Sequence, residues 1–449
     1  MTSGLIGERA VVIGAGMGGL AAAGALAPHF ERVVVLERDA LPSQPTHRAG
    51  TPQGPHLHAM MVSGRLALEQ LFPGFEVDLA RTGAVPLKLG LDVRFERFPY
   101  YPFPQRDLGY VNYAASRPAI EHTARRRLEG IANATLRQHC RVRELIVAPG
   151  GTRVTGVRYE NPEGASETMP ADLVIDASGR GALTLTFLKS LGRPLPEETT
   201  IGIDLFYSSC VFDTPSDAPT DWKGVFTFAK PPEDLRGAAL APLEGNRWIV
   251  TLSGRHGVAM PSDHESFLGY AQALRTPTIY DAIKGAKPLS EVVRYAFPES
   301  VLRHFERLDN FPQGLLPLGD AICQFNPTWG QGISVAAQEA CVLRRLLDRL
   351  SGERDAIALL GPAFFADIQP LLEQPWSIAM LDFAFPQTRG NRPADFERRL
   401  KFGAALNRLA ADDAAIHKLT IEVQHLLKPS SVYQDPELVQ RVMAVMAKM

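Results

Sequence analysis

The stretch Arg9-Ala-Val-Val-Ile-Gly14-Ala-Gly16-Met-Gly-Gly19, running through Leu20 to Ala27 and Pro28 and on to Arg32-Val-Val-Val-Leu36-Glu37-Arg38, decides the fold. Arg9 to Ile13 is a short β-rich run, and Met17 to Ala27 is an Ala/Leu-rich helical run stopped by proline. The glycines therefore fall at a strand-to-helix turn. Gly14 permits the tight turn, Gly16 lets the backbone approach a pyrophosphate, and Gly19 lets the helix lie close on the strand. Met17 opens the helix, whose free N–H groups and positive dipole end face the phosphates without needing a basic side chain. The second strand ends at Glu37, where a carboxylate can accept from both ribose hydroxyls, and Arg38 is placed to pack on an adenine. Strand, turn, helix, strand and acid in that order predict an adenine dinucleotide; they do not separate FAD from NAD(P).

Ala10 to Pro28 contains no charged residue and has the composition of a signal sequence or membrane span. Its five glycines, and the second β-rich run that follows at the dinucleotide-fold offset, favour the turn reading. No transmembrane segment is expected. At 449 residues the chain is too long for one ordinary core, and two intertwined domains are expected. Hydrophobic residues make up 45%, and the net charge of −2 comes from interspersed signs, so nothing favours nucleic acid or an anionic membrane. The partner expected is a small molecule. Cys140, Cys210, Cys323 and Cys341 lie far apart without CxxC spacing, which points to neither a metal site nor a disulfide framework and fits a cytoplasmic protein.

Residues 40–58 form a Pro/Gly/His-rich loop ending Gln53-Gly-Pro-His-Leu-His58, expected to lie near the cofactor. A helix from Ala59 to Phe72 follows. Asp92 to Pro104 reads as a strand with an aromatic tail (Phe95, Phe98, Tyr100, Tyr101, Phe103) that either lines a pocket or anchors a loop. Arg117-Pro118 opens a helix to about Gly130, on which Arg125, Arg126 and Arg127 are read as a solvated face. Leu136–Ala148 and Arg153–Tyr159 read as paired strands, and Ala171–Asp176 as a buried strand. Strand-like alternation then covers Ile201–Val211, Gly224–Ala229, Ala238–Leu243 and Arg247–Leu252, interrupted by a helix with a capping box at Ser262-x-x-Glu265. Phe206, Phe226, Phe228 and Trp248 of this region suit a substrate wall or ordinary core. Gly314–Leu318 is a second buried strand, followed by Gly319-Asp320, a loop, and a helix from Ile333 to about Leu350. The segment beyond Ser351 is helical and assigned a packing role.

Four segments together resemble the FAD-dependent aromatic-hydroxylase superfamily, which includes para-hydroxybenzoate hydroxylase, squalene epoxidase and the polyene epoxidases. They are Gly14–Gly19 with Glu37, Ser116-Arg117-Pro118, Asp172–Arg180, and Gly319-Asp-Ala through Asn326-Pro-Thr-Trp-Gly-Gln-Gly332. The resemblance spans roughly residues 8–345. It implies an α/β chain: a Rossmann-like FAD-binding domain (1–85, 116–198, 299–350), an inserted, mostly antiparallel β-sheet substrate domain (86–115, 199–298), and a helical C-terminal region (351–449). It further implies that Arg117 contacts the FAD diphosphate, that Val142 offers its backbone to adenine and that Asp320 holds a ribitol hydroxyl. Gly330 and Gly332 would let the backbone approach the flavin ring.

The family's Asp-Gly pair, linked there to NAD(P)H as well as FAD, reads Asp176-Ala-Ser-Gly179 here. That departure leaves NAD(P)H as a direct or an indirect electron source and admits a separate flavin reductase as partner. The activity implied is transfer of one oxygen from O₂, through a flavin C4a-hydroperoxide, to an apolar alkene or aromatic by epoxidation or hydroxylation. The Gln53–His58 loop resembles the polyene-epoxidase group. No acid/base set stands out and no catalytic residue is assigned; His56, His58 and Trp329 are candidates to face the ring, each with a structural role as the alternative. The rival reading is a reductase of the geranylgeranyl-reductase-like branch. A flavin halogenase is disfavoured because its Trp-x-Trp-x-Ile-Pro signature is missing.

Overall fold

The computed structural model describes residues 4–449. The quoted stretch forms β1 (Gly7–Ile13), α1 (Met17–Leu26) and β2 (Phe30–Leu36). β1 lies centrally in a five-stranded parallel sheet ordered Leu315–Pro317, Leu173–Asp176, β1, β2, Ala134–Arg137. Its three inner strands carry buried Val/Ile/Leu runs because helices cover one face and a three-stranded antiparallel meander (Arg141–Val147, Val154–Glu160, Ser166–Pro170) covers the other. The registers Ile13 to Leu36, Ile13 to Asp176 and Asp176 to Pro317 align the carboxyl ends of four strands, so Gly14, Glu37, Asp176 and Gly319-Asp320 converge at one edge.

α1 is almost wholly buried, packed against the Gly332–Leu350 helix. The glycines make this approach: a Cβ on Gly19 would lie 1.9 Å from the Gly14 carbonyl oxygen, and Gly14 itself has φ +96°.

A second sheet of eight strands contains Cys323–Gln324, Val293–Arg303, Glu198–Asp213, Arg247–Arg255, Arg236–Leu243, Gly224–Thr227 and Val93–Glu96, with Arg389–Gly390 added on Glu198–Asp213. It is antiparallel except for the last pair, in which Val93–Glu96 runs parallel to Gly224–Thr227. Trp248 packs with Trp222 in the core on one side of this sheet, so it is a core residue and not part of a substrate wall.

Several local expectations change. The Leu136–Ala148 strand is two strands broken at His139, whose φ is +57°. Ser262 does not cap the next helix: Asp263 does, accepting from Ser266 N at 2.8 Å. Arg125 is buried, with its guanidinium on the Pro42 carbonyl, while Arg126 faces solvent and Arg127 pairs with Asp78. Consecutive helical residues point about 100° apart, so three in a row cannot share a solvated face.

The C-terminal region carries the helices Ala356–Ala379, Phe396–Asp412, Ala414–Gln424 and Pro436–Met446. The helical run Ala356–Ala384 is long and apolar enough to cross a membrane by length and composition, with mean hydropathy 1.3. Leu360, Phe364, Ile368 and Leu372 form a buried stripe at helical spacing, and the helix packs on Gly332–Leu350, which is the pattern of a core helix.

Candidate functional site

Glu37 is buried at the end of β2, accepting from Ala15 N at 2.8 Å and Asp39 N at 3.0 Å. The carboxylate is thereby fixed against the glycine turn. Arg48, from the Pro-rich loop, lies 3.3 Å from Glu37, 3.0 Å from Asp39 and 2.7 Å from Glu121. Glu121 in turn lies 2.9 Å from Arg117, one helical turn earlier. Burial alone would raise the Glu121 pKa, but Arg117 and Arg48 outweigh it and hold the carboxyl low. Arg117 also acts on Asp320. A line of alternating charge therefore runs Glu37, Arg48, Glu121, Arg117, Asp320, from the acid beside the glycine turn to the acid at the far strand end.

Asp320 is exposed, yet protein surrounds it; the resulting desolvation raises its pKa against the opposing pull of Arg117, Arg180 and Arg303. A group both accessible and enclosed lines a cleft. A Cβ on Gly332 would stand 4.0 Å from Asp320 Oδ1, so the N-terminus of the Gly332–Leu350 helix adjoins this carboxylate. Beneath it, Glu339 is fully buried, accepts from Gly319 N at 2.6 Å, and has its pKa pushed by burial to about 8.

These residues fit an FAD. A Cβ on Gly16 or Gly179 would meet nothing within 4 Å, so open space lies above the glycine turn and beside the Asp176 strand end. Gln331, between Gly330 and Gly332, is fully buried with both amide atoms unpartnered. Met17 is buried in the first turn of α1, and Arg38 is exposed immediately after Glu37. Val142 is the second residue of the Arg141–Val147 strand, opposite Tyr159 and two residues beyond Cys140, whose N–H donates to the Glu37 carbonyl at 2.8 Å. At Gly330 (φ +65°) the near neighbour is Ala59 of the loop, 3.0 Å from an added Cβ, so that glycine is accounted for by loop packing.

The loop is pinned to the second sheet. His56 Nδ1 is 2.7 Å from Ser209 Oγ, which is 2.6 Å from Thr251 Oγ1, and Leu57 N donates to Thr251 at 3.0 Å. Burial pushes the His56 pKa down to about 4, keeping the ring neutral among Tyr207 and Tyr295. His58 sits nearer Arg117; burial and that charge push its pKa to about 3. Its Nδ1 is 2.9 Å from the His56 carbonyl, which makes Nδ1 the donor and leaves Nε2 an acceptor.

Trp329 stacks on Phe228 at 6.4 Å between centroids, and Phe228, Phe226 and Phe95 stack on one another at 5.7 to 6.4 Å. All four rings are half-buried. The loop that carries Trp329 is held from the C-terminal region: Asp382 accepts from Asn326 Nδ2 at 2.6 Å and lies 3.4 Å from Arg255. Arg48 and Asp382 are the residues that sequence reasoning missed. Neither stands in a motif, and the segment after Ser351 has a site role beyond packing.

Asp176 is buried and saturated. It accepts from Ser178 N and Oγ at 3.1 and 2.6 Å and from Thr184 N and Oγ1 at 3.1 and 2.6 Å. Ser178 thus supplies two of the four bonds, of which the hydroxyl's depends on its side chain.

No family model matches the chain. Protein Rv3254 of Mycobacterium tuberculosis is 33% identical over 357 residues, covering 76% of this chain and 73% of that one. Among solved structures, p-nitrophenol 4-monooxygenase PnpA from Pseudomonas putida DLL-E4 is similar with TM-score 0.67 at 17% identity, covering 94% and 99% of the two chains. The myxobacterial chondrochloren halogenase CndH is similar with TM-score 0.65 at 18% identity, covering 94% and 96%. The chain belongs to the family of the mycobacterial Protein Rv3254 and shares its fold with p-nitrophenol 4-monooxygenase PnpA and the FAD-dependent halogenase CndH.

Proposed function

We propose that the protein is an FAD-dependent monooxygenase that adds one oxygen atom to an apolar alkene or aromatic metabolite, on the pattern of the polyene epoxidases. The observation that carries this reading is the half-buried ladder Phe95, Phe226, Phe228 and Trp329, which ends on the segment beside Asp320. A ladder of π-faces takes an apolar, planar body and offers it no hydrogen bonds.

When bound and reduced, FAD supplies activation of O₂. The chain's own residues do the rest. The Gly14–Gly19 turn and α1 hold the diphosphate with Arg117, Glu37 holds the ribose, and Arg38 and the Val142 backbone meet the adenine. Asp320 takes a ribitol hydroxyl, and the N-terminus of the Gly332–Leu350 helix stabilises negative charge nearby. Loop 40–58, docked through His56 and Leu57, excludes water. With Asp176 spent on Ser178 and Thr184, this reading makes a separate flavin reductase the electron source, drawing on NAD(P)H.

The test is anaerobic mixing of the flavin-loaded protein with NADH or NADPH, with and without a flavin reductase, followed by air and the probes styrene and 4-nitrophenol. Bleaching only with the reductase, and a product heavier by one oxygen, are expected. Rapid bleaching without it overturns the electron-source assignment. Hydrogen gained or lost without oxygen overturns the monooxygenase and favours the reductase.

A further inference from the structure

A cavity of about 310 Å³ lies between the segment 305–316 and the first half of the Ala356–Ala379 helix. Leu173 and Leu315, which line it, are the first residues of their strands, whereas Asp176 ends its strand and Gly319-Asp320 follows the other. The cavity therefore sits at the amino ends of the parallel strands, away from the edge where the glycine turn and Asp320 meet. Its size is that of a small-molecule site.

The inner wall is apolar. Phe305 and Phe365 stack at 5.5 Å between centroids, and Phe311 stands perpendicular to both at 5.6 and 5.2 Å. The lining includes Glu306 and Asp309 and no lysine, arginine or histidine among the described residues. Glu306 is 2.8 Å from His304, and Asp309 is exposed. The basic residues that adjoin are committed elsewhere: Arg307 donates to Glu197 at 2.5 Å, and Arg193 to the carbonyls of Asn310 and Gly151. Arg153, bridged through its backbone to Gln313, is exposed and does not line the cavity.

The helix adds two acceptors. Proline has no N–H, so Pro362 and Pro370 leave the carbonyls four residues earlier without their helical donors. Those carbonyls belong to Ala358 and Ala366, and both residues line the cavity. Carboxylates and undonated carbonyls thus outnumber the side-chain donors, which are the amides of Asn310 and Gln313.

We propose that this cavity is a second small-molecule site, for an aromatic body carrying an ammonium head. The body covers the three phenylalanine rings, and the ammonium, with three donors and no acceptor, complements the acceptor-rich rim. A carboxylate head would meet like charge there. The site is independent of the reaction at the flavin.

Gly361 makes the site testable. It lines the cavity from within the helix, and a Cβ there would meet nothing within 4 Å, so a side chain added at this position fills space without displacing protein atoms. Leucine is also the better helix former.

Flavin-loaded protein is titrated by calorimetry with 1-naphthylmethylamine, the neutral 1-naphthylmethanol and the anionic 1-naphthoate. The amine is expected to bind about fivefold more tightly than the alcohol, and the acid most weakly. Gly361→Leu should abolish saturable amine binding while the melting temperature holds or rises; Ala358→Leu, on the same wall, is a second plug. Asp309→Asn should bring amine and alcohol within about twofold of each other. Flavin absorbance and melting temperature are recorded for every variant, so loss of fold or cofactor is separated from loss of the site. No saturable amine binding by the parent, alcohol or acid bound as tightly as the amine, amine binding unchanged by both plugs, or an unchanged preference in Asp309→Asn overturns the proposal.

Discussion

Gly16 and Gly19 separate a ligand role from a packing role. At Gly19 a Cβ would collide with the Gly14 carbonyl, whereas at Gly16 it would meet no protein atom. Gly19→Ala should therefore cost the apoprotein about 2 kcal/mol or more by forcing helix and strand apart. Gly16→Ala, at an ordinary φ of −71°, should leave apoprotein melting within about 0.5 kcal/mol and yet weaken FAD binding. Equal FAD affinity in Gly16→Ala would remove the pyrophosphate from that turn. Glu339 gives a pH test. Its folded pKa of about 8 lies above the ordinary 4.5, so the stability associated with its neutral form is fully present below pH 4.5 and is lost as pH rises through 8. Glu339→Gln should match the parent at pH 4.5 and exceed its melting temperature increasingly toward pH 9; a pH-independent difference would contradict the assignment. The residues of the glycine turn and Glu37 were legible because their spacing is local. Arg48 was not: its three carboxylate partners come from β2, the segment after it and the Arg117–Glu129 helix, and no local pattern announces a lone arginine in a proline-rich loop.

Among the elements, the loop between Cys323 and Gly332 depends on a residue far along the chain. Asp382 holds Asn326 and Arg255 from the turn after the Ala356–Ala379 helix. Asp382→Ala would strand a buried guanidinium and a buried amide, at a cost of about 3 to 5 kcal/mol, and should loosen Trp329. The expected readouts are a lower melting temperature and faster quenching of Trp329 fluorescence by iodide, in a background with the other tryptophans replaced by phenylalanine; unchanged quenching would show that Asp382 does not hold the loop. Four strands of the second sheet were legible from alternation, within a few residues at each end, whereas Val293–Arg303, which pairs with Glu198–Asp213, was not read as a strand. The partnership of Val93–Glu96 with Gly224–Thr227 was not, because a parallel pair joined by more than a hundred residues leaves no turn signal. The same limit explains Phe95: sequence left its aromatic tail between pocket and core, and the structure divides it, with Phe95 in the ladder, Phe103 buried and Phe98 exposed.

Across the whole molecule, two sheets meet where the dinucleotide-fold strand ends face the aromatic ladder, and loop 40–58 spans the junction. The Rossmann-like half was legible as a set of ordered motifs, because backbone demands at a phosphate turn admit few residues. The half built on the second sheet was legible as a sheet and little more, since an apolar wall has no motif of its own. The central claim, oxygen transfer at an FAD held between Gly14 and Asp320, is tested most directly by isotope labelling. Flavin-loaded protein is reduced chemically without a nicotinamide, exposed to ¹⁸O₂ in the presence of the aromatic and alkene probes, and the products are weighed. The account predicts a product carrying one ¹⁸O atom; purified protein that takes up no flavin, or a product changed only in hydrogen content, would contradict it.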